Sequence, residues 1–483
     1  MNRLFTLFVC AITAATLLAI AAGPAAASKS QPAVIEDPGR LLSPNPAEQA
    51  ATLDESKLLG ADIVKLPVLW RTIAPNGEST VKPGGDLSNP DNYPAGAWST
   101  IDNAVNGAHA RNLKVWLMIT APAPRWAVKR ETTPGPGAYE PNVKDYKAFA
   151  TAVGRRYKNV KMYSIWNEPN LARFIRPQQS RGVIRSAIYY RDLYQAGYSG
   201  LVRAGHRRSK ILFGELLPSW QRLKSGARPL AWLRTFFCID SKGKRLRGRA
   251  AKKQKCPRRY KRVRTSGMAY HPYTQAGGPF VRQTSKDNAP IAYLRRVYKV
   301  LDQATKARRL ASRKTKIYSS EFGFQSSPPD PNATSLRKIP YYLNASEYLS
   351  WRDRRVATYS QYLIIDDPDL GGFQSGLRYV DGEKKSGVYE AYKTPLLVFK
   401  GRGNSVTVWG CLRGKERGVA VAEIQVKSGS DWKTIAEVPV GSSSGYFRRN
   451  VRTSGAQKKI YRINWAGGTS RTTRPGKLVK PRK

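Results

Sequence analysis

A parallel (β/α)8 barrel of the α/β class, followed by a small C-terminal β-sandwich, is the fold this sequence predicts, and three observations predict it. Apolar, β-rich runs alternate with longer stretches whose apolar residues recur at helical spacing, the pattern of repeated βα units on a parallel sheet. Eight such runs can be counted before residue 398, and eight units over about 370 residues suit a TIM barrel with insertions. Beyond that point the pattern changes to short alternating strands set between Gly and Ser turns. The rival, a doubly wound sheet, lacks the Gly-rich phosphate turn it would carry after its first strand.

The strands begin with AVIE at Ala33 and ADIVKLPV at Ala61, followed by LKVWLMIT at Leu113 and VKMYSIWN at Val160. KILFGE at Lys210, SGMAYH at Ser266, TKIYSSEF at Thr315 and YSQYLII at Tyr359 complete the set. Segments such as AEQAATLDESKLLG, DYKAFATAVGRRY and YYRDLYQAGYSGLVRAG, which lie between them, place apolar residues on one helical face. Residues 28–398 are therefore assigned to the barrel. SVTVWGCLRG, GVAVAEIQVKSG, DWKTIAEVPVG, SGYFRRNVRT and KKIYRINWAGG read as a sandwich over 399–470, a buttress for the barrel rather than a sugar-binding module. Residues 471–483 read as a basic disordered tail. At the other end, Arg3 precedes an apolar run that exits through Ala25-Ala26-Ala27, which predicts a cleaved signal peptide over 1–27 and a secreted or extracellular chain, with no transmembrane anchor afterwards.

In an oxidising compartment Cys238 and Cys256 read as a disulfide around the basic insert IDSKGKRLRGRAAKKQK. Closing such a loop is worth about 3 kcal/mol in the chain-entropy model. Cys10 leaves with the signal, and Cys411 is expected to be unpaired and buried. Three His and these dispersed Cys offer no zinc spacing, so neither a catalytic metal nor a cofactor is expected. Lys and Arg number 83 against 33 Asp and Glu, a net charge of +50. The charge is spread along the chain and comes without a helix-turn-helix, zinc-finger or RNA-binding signature, so no specific nucleic acid is expected. Its plain account is a basic solvated surface. Its functional account is electrostatic association with an anionic cell envelope or an acidic substrate.

In such a barrel, chemistry sits at the carboxyl ends of the strands. Glu168 in MYSIWNEPN and Glu321 in KIYSSEFGF each close an apolar strand before a loop with Pro or Gly, a place where a carboxylate is poorly explained by stability. Two carboxylates facing across a cleft are what glycosidic bond cleavage needs, provided their surroundings hold them in different protonation states.

The strings WNEPN, HPY and EFG after the fourth, sixth and seventh strands resemble the corresponding motifs of clan GH-A glycoside hydrolases, most closely the families numbered five and thirty-nine. LMITAPAPRWA and FQSGLRYVDGEKKSGVYEAY resemble their third-strand loop and eighth-strand region, so the likeness spans most of residues 33–395. The resemblance implies a retaining hydrolase with Glu168 as acid/base, Glu321 as nucleophile and a covalent glycosyl-enzyme intermediate. It further implies that Asn167 bonds the sugar 2-hydroxyl and that His271 and Tyr273 contact the substrate or the nucleophile. Where the clan often carries an Arg near the end of its second strand that supports the nucleophile, this chain offers Lys65, counted also among the substrate-binding residues, with Arg71 as the alternative for that support. Phe373 is the nearest counterpart of the clan's Trp after the eighth strand.

Other residues carry weaker expectations. Trp126 is a candidate for stacking on a sugar face, whereas Trp70 and Trp166 read as core. Glu215, which also ends a strand, reads as a structural or substrate-binding carboxylate because it lacks the Asn-Glu-Pro context. His206 reads as a solvated helix end, and Asn332 and Asn344 head glycosylation sequons. The functional expectation is cleavage of a polysaccharide or oligosaccharide; the alternative is a non-catalytic carbohydrate- or envelope-binding protein on the same barrel.

Overall fold

The computed structural model describes residues 31–133, 135–218, 225–274, 277–415 and 418–482. The expected signal peptide and Cys10 lie outside the described residues. No helix among the described residues is long and apolar enough to cross a membrane.

Eight parallel strands close into a barrel. They are β1 (Ala33–Glu36), β2 (Ile63–Leu69), β3 (Lys114–Thr120), β4 (Met162–Ile165), β5 (Lys210–Leu216), β6 (Gly267–Tyr270), β7 (Ile317–Ser319) and β8 (Val356–Tyr362). Their order around the barrel is that of the sequence, with β1 pairing both β2 and β8. Each is followed by a helix: α1 (Pro46–Leu58), α2 (Ser99–Ala110), α3 (Val143–Arg156), α4 (Arg185–Arg203), α5 (Pro229–Phe236), α6 (Leu294–Lys306), α7 (Ile339–Arg352) and α8 (Val388–Lys393). Asn45 and Asn142 cap α1 and α3 by accepting backbone N–H bonds, which fixes where those helices start.

Strand periodicity decides what fills the barrel. Side chains alternate between the two faces of a strand, and one apolar residue from each strand, Val34, Ile63, Trp116, Met162, Leu212, Ala269, Tyr318 and Ala357, forms a separate cluster inside. Two residues further along β1 and β2, and just past β6, the same inward face carries Glu36, Lys65 and His271. The barrel thus has an apolar floor and a charged layer above it. The larger core lies outside, between strands and helices.

The C-terminal part is two sheets over one apolar core. β9 (Leu396–Lys400), β10 (Ser405–Cys411) and β13 (Tyr446–Arg452) form one sheet; β11 (Ala420–Ser428), β12 (Asp431–Val440), β14 (Tyr461–Trp465) and β15 (Gly468–Thr469) form the other. Its first strand starts just before the expected boundary at 399. The sheets are tied to the barrel through a buried cluster in which Arg413 pairs with Glu347 of α7 and Tyr446 donates to the same carboxylate. Trp409 stacks on Tyr446 and meets Tyr348 edge-on. Asn344, read as the head of a sequon, is wholly buried here: its Nδ2 donates to Ala391 O at 2.7 Å and its Oδ1 accepts from Leu396 N and Arg471 Nε. Removing one partner of a buried ion pair leaves the other charge without compensation and costs about 3–5 kcal/mol. Arg413→Met is therefore expected to destabilise the whole protein by about 3 kcal/mol, seen as a lower urea midpoint; an unchanged midpoint would show that the apolar contacts alone hold the two parts together.

Two further expectations are corrected. The tail is not loose: Thr473 pairs with Tyr461, Lys400 N donates to Gly476 O, Val479 is buried and Arg482 N reaches Ala292 O. Its composition reads as disorder, but its backbone completes sheet edges and its single Val seals a gap. His206 is not solvated either; it is buried, with Nε2 at 2.9 Å from Gly154 O and Nδ1 at 3.0 Å from Ser209 Oγ, and burial lowers its basicity. The Cys238–Cys256 disulfide forms and Cys411 is free and buried.

Candidate active site

A cleft of about 990 Å3 opens at the carboxyl ends of the barrel strands, lined among others by Asn167, Glu168, Tyr273, Glu321, Tyr362 and Phe373. Glu168 sits just past β4 on a tight turn in which Trp166 (φ 67°) and Glu168 itself (φ 34°) adopt left-handed backbone. That conformation is unfavourable for side-chain-bearing residues and persists only where the surroundings impose it. Here Trp166 Nε1 donates to Phe174 O, Asn167 N to Thr120 Oγ1, and Asn170 Nδ2 to Leu217 O and Ala227 O. The WNEPN turn is thereby bolted to the loops after β3 and β5. Asn167 Oδ1 is buried without a hydrogen-bond partner among the described residues.

Glu321 lies across the cleft, just past β7. Its Oε1 is 3.3 Å from Lys65 Nζ, while its Oε2 accepts from Tyr273 OH at 3.3 Å and lies 3.2 Å from His271 Nδ1. The same Nδ1 is 2.9 Å from Glu168 Oε1. An oxygen of Glu168, an oxygen of Glu321 and a ring nitrogen of His271 all fall within 4.8 Å of one another.

Beneath the pair lies the charged layer. Lys65 is wholly buried, with its ammonium at 2.9 Å from Glu36 and 3.3 Å from Glu215 in addition to Glu321. Glu215 receives His271 Nε2 at 2.6 Å and the Ser320 hydroxyl. By simple alternation Glu215 would point out of the barrel, because Leu212 and the position of Gly214 occupy the inward face. A register shift between Gly214 and Leu216, with φ of 117° at Gly214 and 51° at Glu215, turns it inward. Only glycine fits before it, since a Cβ at 214 would sit 2.4 Å from Ala269 O.

Burial and charge act against each other in this layer. Burial lowers the basicity of His271, but the carboxylates of Glu321, Glu168 and Glu215 outweigh it and raise the ring to about 10. Burial pushes Glu215 up, yet the Lys65 ammonium and the His271 ring hold it down at about 2. Burial prevails at Glu36, which rises to about 8 against the pull of Lys65, and at Glu168, which is raised against the pull of His271. The Glu168, His271 and Glu321 donors are close enough together to suggest a metal site. Both His271 nitrogens face carboxylates, however, and the imidazolium they stabilise has no lone pair for a metal, so the arrangement is that of a proton-bearing network.

Of the residues singled out in the sequence, the fold brings Asn167, Glu168, His271, Tyr273 and Glu321 together. Lys65 joins them from below: it touches Glu321 and other carboxylates, as expected of a support for the nucleophile, but it is wholly buried and does not line the cleft, so it is not placed to contact substrate. Arg71, its alternative, bonds Ala123 O and Glu131 instead. Trp126 does not line the cleft; its indole donates to Pro75 O and packs edge-on against Trp70 at 6.1 Å, because the loop after β3 packs against the segment that follows β2, where Arg125 N also bonds Gly77 O. Phe373 does reach the cleft wall, edge-on to Tyr362 at 5.2 Å. Glu36 and Tyr362 were not singled out. Glu36 carries the signal used for Glu168, a carboxylate closing an apolar strand before a Pro. The insert between Cys238 and Cys256 runs from the end of α5, where Arg245 Nε donates to Ala307 O, back along α4, where Arg191 donates to Lys255 O; none of its residues lines the cleft.

No protein-family model matches the chain, and no curated protein matches it. Among solved structures it is similar to Fpglu1 from Fervidobacterium pennivoraus, at 14% identity over 76% of this chain and 95% of that one, with a TM-score of 0.47. It is also similar to the virulence factor SghA in complex with the substrate analogue salicin, at 12% identity over 75% and 95%, TM-score 0.49. A third is the family 1 β-glucosidase of Thermotoga maritima, at 13% identity over 72% and 85%, TM-score 0.44. With identities this low, the chemistry has to come from the chain's own residues.

Proposed function

We propose that the protein is a secreted retaining glycoside hydrolase that cleaves O-glycosidic bonds of a polysaccharide or oligosaccharide, with Glu168 as acid/base and Glu321 as nucleophile. The observation that carries this reading is the approach of the two carboxyl groups to within 4.8 Å, oxygen to oxygen, across an open cleft. Retaining pairs stand about 5–5.5 Å apart, whereas inverting pairs need about 6.5–9.5 Å to admit a water. The β configuration of the bond follows from the likeness of WNEPN, HPY and EFG to clan GH-A.

In this reading Glu168 Oε1 accepts from His271, which leaves Oε2 to carry the acidic proton, and burial favours the protonated form. As the glycosidic oxygen takes the proton, a Glu321 oxygen bonds to the anomeric carbon and the leaving sugar departs. Lys65 and Tyr273, one on each Glu321 oxygen, hold the carboxylate in line. Glu168, now ionised, takes a proton from water, which attacks the anomeric carbon and releases Glu321. The unpaired Asn167 Oδ1 suits a sugar hydroxyl at the adjacent position, and Phe373 with Tyr362 supplies the apolar wall.

Proton NMR of aryl β-glycoside hydrolysis (glucoside, galactoside, xyloside and mannoside) tests this reading. The first-formed sugar is expected to be the β-anomer, mutarotating later. The α-anomer appearing first would sink the retaining mechanism, and glycan binding with no hydrolysis of any member would leave a binding protein on the same barrel.

A further inference from the structure

The loop after β4 does more than carry Glu168. Past WNEPN it continues through Arg173 and Arg176, and both line the cleft. Arg176 is half-buried and firmly placed. Its backbone N donates to Ala138 O and its carbonyl accepts from Glu140 N. Its Nε donates to Ala172 O at 3.0 Å, which leaves the two terminal nitrogens of the guanidinium uncommitted. Arg173 is exposed on the same wall. Arg111, Arg156, Arg234, Arg355 and Arg378 each face a carboxylate. Arg173 and Arg176 pair with none among the described residues, and the sequence SWQRLK at 219–224 contains none.

The barrel order says which part of a substrate this wall meets. β4 stands opposite β8 in the ring, and β7 is next to β8. The cleft therefore runs from the loops after β3, β4 and β5, on the Glu168 side, to those after β7 and β8, on the Glu321 side. The remaining lining carboxylate, Asp330, belongs to the loop after β7, where its Oδ1 accepts from Asn332 N. The proton on Glu168 goes to the leaving oxygen, so the sugar beyond Glu168 is the leaving group. A fixed, half-buried guanidinium with no counter-ion there is matched by a planar or tetrahedral anion that accepts two N–H bonds.

We infer that the Arg173–Arg176 wall binds an anionic substituent, a carboxylate or a sulfate ester, on the leaving-group sugar, so that the substrate is an acidic saccharide. This deepens the glycosidase reading and rests on it for the word leaving. The net charge of +50 attracts any polyanion at long range, whereas among the described lining residues Arg173 and Arg176 are the cationic side chains that can select within the cleft.

Titration calorimetry of the intact protein in about 0.15 M salt, where the Debye length is about 8 Å, tests the inference. The probes are trigalacturonate, its carboxyl-reduced neutral counterpart and a sulfated galactose trisaccharide. At least one acidic probe is expected to bind ten times or more tighter than the neutral one, and which does so tells carboxylate from sulfate. The preference is expected to fall to within twofold in Arg176→Ala and in Arg173→Ala/Arg176→Ala. Arg176→Lys, a point charge without the fork, should keep part of it. Arg258→Gln/Arg259→Gln, exposed and outside the cleft lining, should keep all of it. Equal binding of neutral and acidic probes, no binding of either acidic probe, or a preference that survives in Arg176→Ala and Arg173→Ala/Arg176→Ala would overturn the inference. Hydrolysis of neutral aryl glycosides without an acidic preference would remove this inference alone, and an acidic preference without hydrolysis would remove the glycosidase reading alone.

Discussion

Glu321→Ala is expected to lower kcat on an aryl β-glycoside by about 10^4-fold or more, the scale seen when a covalent nucleophile is deleted, while the fold survives. The side chain lies at the rim of the charged layer, next to the open cleft, and Lys65 keeps Glu36 and Glu215 as partners when it is removed. Azide should enter the vacated space and give the α-glycosyl azide. Glu168→Ala is expected to behave differently. General acid help is worth about 10^2–10^4-fold, and the loss should be small for a dinitrophenyl leaving group and large for an alkyl one, with azide giving the β product. The pH profile separates the two roles further. Glu168 is raised by burial and must hold its proton to act, so kcat/KM should fall as pH rises through its raised value; that basic limb should be absent from the Glu168→Ala profile with an activated substrate. If both variants lose activity equally on all leaving groups and azide restores neither, the two residues support the site and do not perform the reaction.

Much of this site is legible in sequence because strands count in twos. Once AVIE, ADIVKLPV and SGMAYH are taken as barrel strands, the alternation that buries Val34, Ile63 and Ala269 also turns Glu36, Lys65 and His271 inward. Glu36 could have been found this way, and the same alternation sets Lys65 beneath the nucleophile, in the supporting place that the resemblance implies for it. Glu215 is legible as a structural carboxylate at a strand end, but its inward turn is not, because that depends on a one-residue shift at Gly214 that regular alternation hides. Loops resisted for a different reason. Trp126 and Phe373 are both aromatic residues after a strand, and nothing local in the sequence tells the one that folds back onto Trp70 from the one that reaches the cleft. His206 and the tail were misread from composition, since neither basic neighbours nor a run of Lys and Arg reveals a backbone that pairs with a distant strand.

Lys65→Met is expected to have the second large effect, on stability and activity together. The ammonium is the only side-chain cation within ion-pair reach of Glu36 among the described residues, and it also reaches Glu215 and Glu321. Methionine fills most of the space but leaves buried carboxylates against one imidazolium, which costs about 3–5 kcal/mol. Loss of a buried partner that orients a reacting group lowers activity by about 10–100-fold by analogy with supporting residues at metal sites. The pH dependence gives the test its sign. Glu36 in the folded wild type is already raised to about 8, so its buried ionisation weakens the fold as pH climbs from the ordinary carboxyl range through that value. His271, raised to about 10, contributes stability that is complete below its ordinary value of 6.5 and is lost progressively as pH rises from there through about 10. Without Lys65 the folded protein must take up additional protons on its carboxylates, which is easy in acid and costly near neutrality. The deficit of Lys65→Met in urea midpoint should therefore be greater at about pH 8 than at about pH 5, and Glu36→Gln, by removing one of the stranded acids, should restore part of it. Equal deficits at both pH values would mean that Lys65 matters for its packing over the Trp116 ring, 5.9 Å from the ammonium, and that the charged layer is held together by His271 and Ser320 alone.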